Sequence, residues 1–541
     1  MYISHRTSHT LLHHHPSPSR TYLAMSSATV LIAAIVTVAL YRVLHRKSGI
    51  ENIPGPPSPS WIFGNMLQLL LPPSYGDYEF TWLKLYGPIY RLKECFGQDR
   101  LMVSDPLAFQ YILNSAQFVH GPIAENFVHL LYGKRSVSAV RGDAHKRLRA
   151  ALNTGFTAAA VKNYRPIFEK MAQALTEQLE QSSASSINIS PLLSTATLGA
   201  ISEAVLGCST QDLGEEFVAN NCQIVVLTSS QSAAQILANA LGVLLPTSVF
   251  NAAVYLPTSA FRAIRKAKYL AEDLGRRVVR EKMDAARQGL EIDSDVYGQL
   301  LNPVQSDSTK KGMSEEAIVA QTAVILTAGQ DTTANTLAFG LVELARHPHL
   351  QDQLRAEIQS NLGANPHNVP YDSMPLLNAF IKETLRLYPA LALEDRVALA
   401  DAVIPITENI KTTTEEVITQ IPVRKGQLVT LAIASFQRLE SFWGADSHEF
   451  KPQRWLEGSP YKGETSVGPY ANLLSFLGGP RTCLGWRFAI LEMQVLICEL
   501  VGKFSFTLPK DDPVLLRSAT VLSPAMSNGE KGAPLCVTRI L

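Results

Sequence analysis

The chain has 541 residues, of which 46% are hydrophobic and 18% are charged, and its formal net charge is +1 at pH 7. A chain this long and apolar can bury a large core, and its balanced charge gives no general electrostatic basis for binding nucleic acid. The six cysteines include no CxxC pair and no regular spacing, which argues against a disulfide framework and against a zinc site. This composition predicts a folded protein of a reducing compartment or of its membrane face.

The N-terminal part of the chain has the composition of a tail followed by a membrane anchor. Residues 1–21 are rich in His, Ser and Pro without apolar periodicity, which predicts disorder; Met25 is an alternative start to Met1. Residues 22–44 contain about twenty uncharged and mostly apolar residues, the length that a bilayer-spanning helix needs. A cleaved signal peptide is the alternative, but the apolar stretch is long for one. The basic residues that follow favour a cytoplasmic location for the rest of the chain.

The remaining chain is predicted to be a hinge and one large domain. Residues 45–62 are basic and rich in proline, which cannot continue a helix and makes a stiff connector. No charged or Gly/Ser linker divides residues 63–541, so we expect them to form a single domain. Within it, Tyr86–Leu92 and Leu101–Val103 are predicted to form a hairpin. Most of the rest is helical, which predicts a mainly α fold with small β-sheets.

One cysteine lies in an unusual setting, because the segment Phe476–Gly485 places Cys483 between a glycine-rich turn and an apolar, helix-prone stretch. Glycine can adopt positive φ, which lets a backbone turn approach a flat ligand closely. At a helix N-terminus the dipole and the free N–H groups favour the thiolate, the form of cysteine that binds metal. Arg481 adds a cation suited to pairing with a carboxylate. Cys483 is therefore the candidate metal ligand, whereas the other cysteines are interpreted as small buried hydrophobes.

A long helix is predicted from Ser314, whose side chain can cap it, to about Arg346, with a proline just beyond. Near its middle, Gly329 lowers the helix propensity by about 1 kcal/mol, so something there must need the space. An acid and an alcohol, Asp331 and Thr332, follow. Taken alone, these two residues could simply cap a new helix after a glycine turn. They could also form a proton relay, since a carboxyl group and a hydroxyl group can pass a proton between them.

Together these motifs resemble those of the cytochrome P-450 family of haem-thiolate monooxygenases, in its membrane-bound eukaryotic form and closest in style to fungal members. Five residues fall at the spacing of the family's haem-binding loop: Phe476, Gly479, Arg481, Cys483 and Gly485. Leu477 stands where glycine is commoner in the family. The resemblance implies the cytochrome P-450 fold, in which haem lies between a long central helix and a loop whose cysteine, here Cys483, binds the iron.

The resemblance also implies roles for other residues. Asp331 and Thr332 would relay protons to dioxygen, with the small residues before them leaving room for it. The positions that would bind haem are His145, Arg149, Arg396, Phe476, Arg481 and Gly485. His145 replaces the tryptophan that is more usual. Beside Arg396, the acids Glu394 and Asp395 are less expected; pairing with Arg396 is favoured over contact with a polar group of the substrate.

Three further segments match the family. Glu383 and Arg386 are three residues apart, so they meet on one helix face. They resemble the family's acid–base pair, which a downstream arginine, here Arg454, joins in a buried network. The apolar stretch 217–261 resembles the helices over the substrate channel. Residues 523–529 resemble a hairpin turn that projects into the substrate pocket.

The function implied by the resemblance is insertion of one atom of dioxygen into a lipophilic small molecule, and the fungal style favours terpenoid-type specialised metabolism. The cofactor would be haem b (iron protoporphyrin IX). Electrons would come from NADPH through a separate NADPH-cytochrome reductase, because the chain has no GxGxxG dinucleotide motif. The expected location is the endoplasmic reticulum membrane, with a single N-terminal anchor and the catalytic domain facing the cytoplasm. No nucleic-acid partner is expected.

Two alternatives stay open at this stage. The first is a haem-thiolate isomerase or dehydratase that acts on a peroxide without dioxygen or a reductase. Asp331 and Thr332 argue against it, since such relatives need no proton relay. The second is a haem sensor without enzymatic activity, which would leave the relay, the anchor and the apolar pocket without a purpose.

Overall fold

The computed structural model describes residues 48–182, 184–229, 231–244, 254–290, 295–301, 313–364, 369–463, 466–510, 514–518 and 521–540. The expected tail and anchor, residues 1–21 and 22–44, lie outside the described residues, as does the start of the hinge. The statements below concern the described residues.

The described part is built mainly from α-helices. Their bounds in chain order are α1 Met66–Leu70, α2 Glu79–Tyr86, α3 Pro106–Asn114, α4 Pro122–Leu131, α5 Gly142–Leu152, α6 Ala158–Asn163, α7 Arg165–Gln181, α8 Ile189–Leu206, α9 Thr210–Leu213, α10 Glu215–Ser229, α11 Ala233–Leu244, α12 Ser259–Arg287, α13 Val296–Leu301, α14 Glu315–Val319, α15 Thr322–Arg346, α16 Pro348–Ala364, α17 Pro375–Leu387, α18 Ile433–Phe436, α19 Glu440–Trp443 and α20 Trp486–Lys503.

The strands form small sheets, as expected for the predicted fold class. Their bounds are β1 Ile89–Lys93, β2 Asp99–Val103, β3 Phe118–His120, β4 Ile187–Asn188, β5 Leu393–Ala398, β6 Ala402–Lys411, β7 Val417–Val423, β8 Leu428–Ala432, β9 Phe504–Thr507, β10 Leu515–Ser518, β11 Leu522–Ala525 and β12 Pro534–Arg539. The largest sheet has the order β1-β2-β8-β5-β3. The antiparallel pairing of β1 with β2, in which Tyr90 lies opposite Met102, confirms the predicted hairpin.

The predicted long helix is present, but it is broken near its start. Ser314 caps α14, because its Oγ accepts a hydrogen bond from the Ala317 N–H over 3.3 Å. A turn at Ala320 and Gln321 then interrupts the regular helix, and the Gln321 N–H donates to the Ile318 carbonyl over 2.9 Å. The buried side chain of Gln321 accepts a hydrogen bond from the Val137 N–H over 2.8 Å. Helix α15 starts at the next residue and ends at Arg346, where the prediction placed the end. The expectation of one uninterrupted helix was therefore wrong at this turn.

Helix α15 lies in the core and packs most extensively against α8. Within the described ranges, α8 is the one helix long and apolar enough to cross a membrane, but 72% of it is buried inside the protein. This burial identifies α8 as a core helix. Gly329 of α15 faces it, because a Cβ added at Gly329 would lie 2.6 Å from Cγ1 of Ile201. The glycine therefore provides room for a neighbouring helix.

A buried ionic network supports the segment that leads to the cysteine loop. Glu383 on α17 binds Arg386 and Arg454, each at 2.9 Å, as predicted. The indole N–H of Trp455 donates to the same carboxylate over 2.9 Å. From the same helix, the carbonyl of Leu385 accepts a hydrogen bond from the hydroxyl of Ser475, just before the loop, over 2.6 Å. This hydrogen bond holds the base of the loop to α17, the helix that carries Glu383 and Arg386.

Candidate active site

The loop around Cys483 is tightly constrained by its backbone. The Cys483 N–H donates to the Phe476 carbonyl over 2.8 Å, which closes the loop. Gly479 has φ +65°, and a Cβ there would lie 2.5 Å from the Leu113 carbonyl oxygen. Leu477 also has positive φ, at 54°, a conformation that costs a side-chain-bearing residue about 1 kcal/mol. This explains physically why glycine is the commoner residue of the family at that position.

The sulfur of Cys483 lies just before a helix N-terminus. Helix α20 starts at Trp486 with Gly485 as its N-cap, two residues later than the apolar pattern predicts. The side chain of Cys483 is exposed. The surrounding protein nevertheless desolvates the thiol, which raises its pKa, although the Gly485 N–H and Arg149 act in the opposite direction. A cation bound at this side chain would favour its thiolate.

The central helix also presents an open face in its middle. Ala328 is exposed and Thr332 is half-buried, although the helix around them is largely buried. The two residues lie one turn apart on one face. Thr332 Oγ1 donates to the Ala328 carbonyl over 2.9 Å, which leaves the hydroxyl oxygen able to accept a hydrogen bond. The predicted alcohol is therefore partly accessible in a helix that is otherwise largely buried.

Asp331, the predicted partner of Thr332, is oriented differently. Its side chain is only 8% exposed and forms an ion pair with Lys531, with Oδ1 and Nζ 3.0 Å apart. The structure thus leaves Thr332 accessible and engages Asp331 with the C-terminal part of the chain. The sequence contains no local signal for this ion pair, because 200 residues separate the partners.

Gln330, between these motif residues, is a functional candidate that sequence reasoning missed. It is buried and accepts a hydrogen bond from Asn221 of α10. Its own amide donates to Ser194 Oγ over 2.8 Å. Gln330 therefore ties α15 to α8 and α10 beside a small cavity of about 20 Å³. That cavity is lined by apolar side chains and by the amides of Asn220 and Asn221.

Several cations converge near the cysteine loop. Arg149 Nη2 donates to the Thr482 carbonyl over 2.5 Å. Arg481 donates to the carbonyls of Val137 and Val140 over 3.0 and 2.6 Å. Burial and the neighbouring arginines lower the pKa of Arg481 to about 10. The neighbouring Arg141 and Arg396 have acidic partners, whereas the structure shows no ion pair of Arg149 or Arg481 within the described ranges, so these two cations are not compensated by an acid there.

The buried His145 lies in the same positive field. Burial, with Arg481 and Arg149, lowers its pKa to about 4, so its ring is neutral at pH 7. The predicted haem-binding residues His145, Arg149 and Arg481 are thus brought together by the fold. Their contact with haem stays a prediction.

Arg396 differs from these cations because it pairs with an acid. It forms an ion pair with Glu394, and its Nη1 lies 3.3 Å from His120 Nδ1. Burial alone would raise the pKa of Glu394, but Arg396 and His120 outweigh burial and lower it to about 2. The favoured pairing of Glu394 is confirmed, whereas Asp395 pairs with Arg100 at 2.6 Å. Sequence reasoning missed His120, which reaches this site through pairing of β3 with β5.

Phe476 and Gly485, the remaining predicted cofactor residues, frame the loop. The Phe476 ring is buried beside Tyr470 and Trp486, with ring centroids 6.3 and 6.5 Å away. Gly485 acts through its backbone N–H at the sulfur of Cys483. Their contact with haem also stays a prediction.

The arrangement fits haem in two respects. The loop presents one thiol, that of Cys483, just before the N-terminus of α20. The unpaired Arg149 and Arg481 match carboxylates such as the haem propionates. The family's thiolate–haem arrangement has both features.

Comparison with known proteins gives the same family. The family model described as Cytochrome P450 matches residues 54–531. Cytochrome P450 monooxygenase 91 of Postia placenta is 29% identical over 94% of this chain and 98% of its own length. Cytochrome P450 monooxygenase 219 of the same fungus is 30% identical, over 90% and 94% respectively. Cytochrome P450 monooxygenase claU of Ampulloclitocybe clavipes is 28% identical, over 95% and 98%. The chain belongs to the cytochrome P450 family.

Proposed function

We propose that this protein is a membrane-anchored monooxygenase that inserts one atom of dioxygen into a lipophilic small molecule of terpenoid type. The observation that carries the proposal is the accessible face of Ala328 and Thr332 in the middle of a buried helix. In the same chain, a loop presents Cys483 just before a helix N-terminus. The names of its fungal relatives, all monooxygenases, support the reaction class.

Each residue of the site has a defined task in this proposal. Haem, when bound, supplies the iron at which dioxygen is activated, and a thiolate ligand favours cleavage of the O–O bond. Cys483 provides that thiolate, with the Gly485 N–H directed at its sulfur. Arg149 and Arg481 hold the propionates. Thr332 holds and passes a proton at Oγ1, and Asp331 supplies it from the adjacent position.

The apolar side chains packed beside α15 support a lipophilic substrate, whereas the cavity between them, about 20 Å³, holds little more than one water molecule. Between α4, α10, α12 and α15, the small cavity is walled mainly by Leu131, Phe217, Ile224 and Ala271. The structure describes most of the predicted channel stretch 217–261, as α10, α11 and the start of α12, but residues 245–253 lie outside the described ranges. The terpenoid type rests on the resemblance to fungal members alone.

Membrane attachment is supported by exposed apolar side chains of the domain. Ile236 of α11 packs in one cluster with Met66 and Leu69 of α1. On α11 and in the segment just before α1, large apolar side chains remain exposed: Trp61 57%, Ile62 46%, Leu241 48% and Val243 39%. Such exposed apolar side chains fit a domain lying on the endoplasmic reticulum membrane. Electrons would come from NADPH through a separate NADPH-cytochrome reductase, as expected from the resemblance.

One observation favours the alternative of a haem-thiolate isomerase or dehydratase. The ion pair of Asp331 with Lys531 engages the acid that a proton relay would use. Such an enzyme would rearrange a peroxide without NADPH, dioxygen or a reductase.

The test is reconstitution of the full-length protein in membranes with NADPH-cytochrome reductase. The proposal predicts that NADPH and isotopically labelled dioxygen are consumed together with at least one member of a sesquiterpene, sterol and fatty-acid panel, and that the product carries the label. Conversion of a fatty-acid hydroperoxide without NADPH, with no labelled product from the panel, would establish the alternative instead.

A further inference from the structure

The tip of the hairpin formed by β6 and β7 holds the hinge that precedes the domain. In the loop 412–416 between these strands, the N–H and the hydroxyl of Thr413 both donate to the Asn52 carbonyl, over 2.9 and 3.3 Å. On either side of Asn52, Ile50 and Ile53 are buried, at 1% and 3% exposure. This part of the hinge is therefore docked on the domain, and Thr413 provides a polar contact that holds it at the hairpin.

The loop is closed by its own hydrogen bonds, which leave Thr413 on the outside. The Thr412 N–H donates to the Glu416 carbonyl over 2.8 Å, and the Glu416 N–H donates to Thr412 Oγ1 over 3.1 Å. Thr412 is buried, and its hydroxyl lies 3.0 Å from the hydroxyl of Thr414. Residues 413–417 are all exposed. Of the three consecutive threonines, Thr413 thus combines an exposed position with a hydrogen bond to the hinge.

Two exposed acids, Glu415 and Glu416, follow Thr413 in the loop. Protein kinases select their substrates by such charge patterns, and acid-directed kinases recognise a hydroxyl residue that an acid follows three positions later. This spacing alone does not define a site, because Ser209 and Asp212 share it. There the Ser209 hydroxyl caps a helix and lies 2.6 Å from Asp212 Oδ2, so the hydroxyl and the acid are bound to each other. In the loop, the Thr413 hydroxyl instead points to another segment of the chain.

We propose that Thr413 is a phosphorylation site for an acid-directed protein kinase, and that the phosphate detaches the hinge from the hairpin tip. In this step, Oγ1 of Thr413 bonds to the γ-phosphorus of ATP, the bond from that phosphorus to the bridging oxygen breaks, and ADP leaves. A carboxylate of the kinase takes the proton of the hydroxyl. The inference goes beyond the proposed oxidation and does not depend on it. The expected cytoplasmic location of the domain gives the loop access to ATP.

The phosphate changes the contact with the hinge in two ways. The hydroxyl loses the proton that it donates to the Asn52 carbonyl. The group also adds about two negative charges at pH 7, beside the exposed acids Glu415 and Glu416 of the loop and Glu51 of the hinge. The nearby cation Lys411 already pairs with Glu415. Like charges on both sides of the contact repel each other, so the hinge moves away from the hairpin tip.

The experiment treats the full-length holoenzyme with γ-labelled ATP and a purified acid-directed Ser/Thr kinase, and mass spectrometry locates the label. The variants are Thr413→Ala, Thr413→Ser and Glu416→Gln, with Thr414→Ala as the matched control in the same loop. These positions are exposed, so the variants are expected to fold. The second readout is hydrogen exchange of the Thr413 amide and of the hinge segment 48–53, before and after the kinase reaction.

We expect stoichiometric labelling at position 413 in the wild type, in Thr414→Ala and in Thr413→Ser. Thr413→Ala should lose the label, and Glu416→Gln should take it up about tenfold more slowly because the acid is missing. Phosphorylation should accelerate exchange of the Thr413 amide about tenfold. In Thr413→Ala, treatment with the kinase should leave exchange of the loop and of the hinge unchanged.

Three results would overturn the inference. The first is labelling of the wild type that does not reach stoichiometry, and the second is label on Ser209 or Thr414 instead of Thr413. The third is full labelling of Thr413 without faster exchange in the loop or in the hinge segment. Neither readout requires oxidation of a substrate, so a failure of the proposed monooxygenase function is distinguishable from a failure of this inference.

Discussion

Arg149 on α5 donates a hydrogen bond over 2.5 Å to the carbonyl of Thr482, the residue before Cys483, although 333 residues separate the two in the chain. The cation that the family resemblance assigns to a haem propionate therefore also holds the ligand loop. If Arg149 binds a propionate as the resemblance implies, this one side chain would link the carboxylates of haem to the position of the cysteine.

Replacing this arginine should loosen the loop and weaken haem binding together. Arg149→Gln is expected to lower haem content and to cost about 1–3 kcal/mol of unfolding free energy, because a charged hydrogen bond is lost. Arg147→Gln, at an exposed position on the same helix, should change stability by less than about 0.5 kcal/mol. Urea unfolding and the haem-to-protein ratio of purified protein check this. Equal effects of the two substitutions would contradict it.

The buried network around Glu383 should be much more sensitive than a surface ion pair. Glu383→Gln leaves Arg386 and Arg454 without their carboxylate and is expected to cost about 3–5 kcal/mol. The matched control is Glu203→Gln, which removes the more exposed pair with Lys170 and should cost at most about 1 kcal/mol. Urea denaturation of both variants measures the difference. A cost for Glu383→Gln as small as that of the control would mean that the network does not support the core.

Gly329 should resist substitution because of its neighbouring helix. A methyl group at this position would lie 2.6 Å from Ile201 Cγ1, so Gly329→Ala is expected to destabilise by about 1–3 kcal/mol despite its better helix propensity. Added Ile201→Ala should recover part of this loss. Gly363→Ala in α16, where nothing lies within 4 Å of the added carbon, should instead stabilise by about 0.5–1 kcal/mol. Thermal unfolding distinguishes the two, and stabilisation by Gly329→Ala would refute the steric explanation.

Local motifs were predictable from the sequence, and long-range partners were not. The loop of Cys483, the end of α15 at Arg346 and the Glu383 network depend on short spacings or on family motifs. The interruption at Gln321 depends instead on a side chain that bonds the backbone of a distant segment.

The same physical reason applies to the charged partners. His120 joins Glu394 across 274 positions, and Lys531 reaches Asp331 across 200. A single sequence contains no periodicity that encodes such pairs. The role of Gly329 was partly predicted: the need for space was correct, but α8 fills that space.

Glu79 should make stability depend on pH. Burial raises its pKa from 4.5 to about 7, opposed by its hydrogen bond with Ser435. Between about pH 4.5 and about pH 7, Glu79 keeps its proton in the folded protein but loses it in the unfolded chain. The contribution of Glu79 to stability therefore falls as pH rises through this window. Glu79→Gln, neutral at every pH, should gain stability relative to the wild type across this window, by an amount on the order of 3 kcal/mol. Urea unfolding at pH 5 and pH 8 checks this, and a difference independent of pH would contradict it.

Thr332 should control the fate of dioxygen without affecting haem binding. Thr332→Ala removes the accessible hydroxyl, so the reconstituted enzyme should keep its haem spectrum but release more peroxide per NADPH consumed. Thr336→Ala is the matched control, one turn further along α15 and buried. Peroxide and product are quantified in the same assay. Unchanged coupling in Thr332→Ala would count against the proton relay.

The central claim is that Cys483 is the axial ligand of a haem. The most direct measurement is the absorption spectrum of the reduced, carbon monoxide-bound protein, in the wild type and in Cys483→His, with Cys498→Ala as a control at a buried cysteine. We predict the red-shifted Soret band of thiolate ligation in the wild type and in Cys498→Ala, and its loss in Cys483→His. The same histidine-type band in all three proteins would show that Cys483 does not bind the iron.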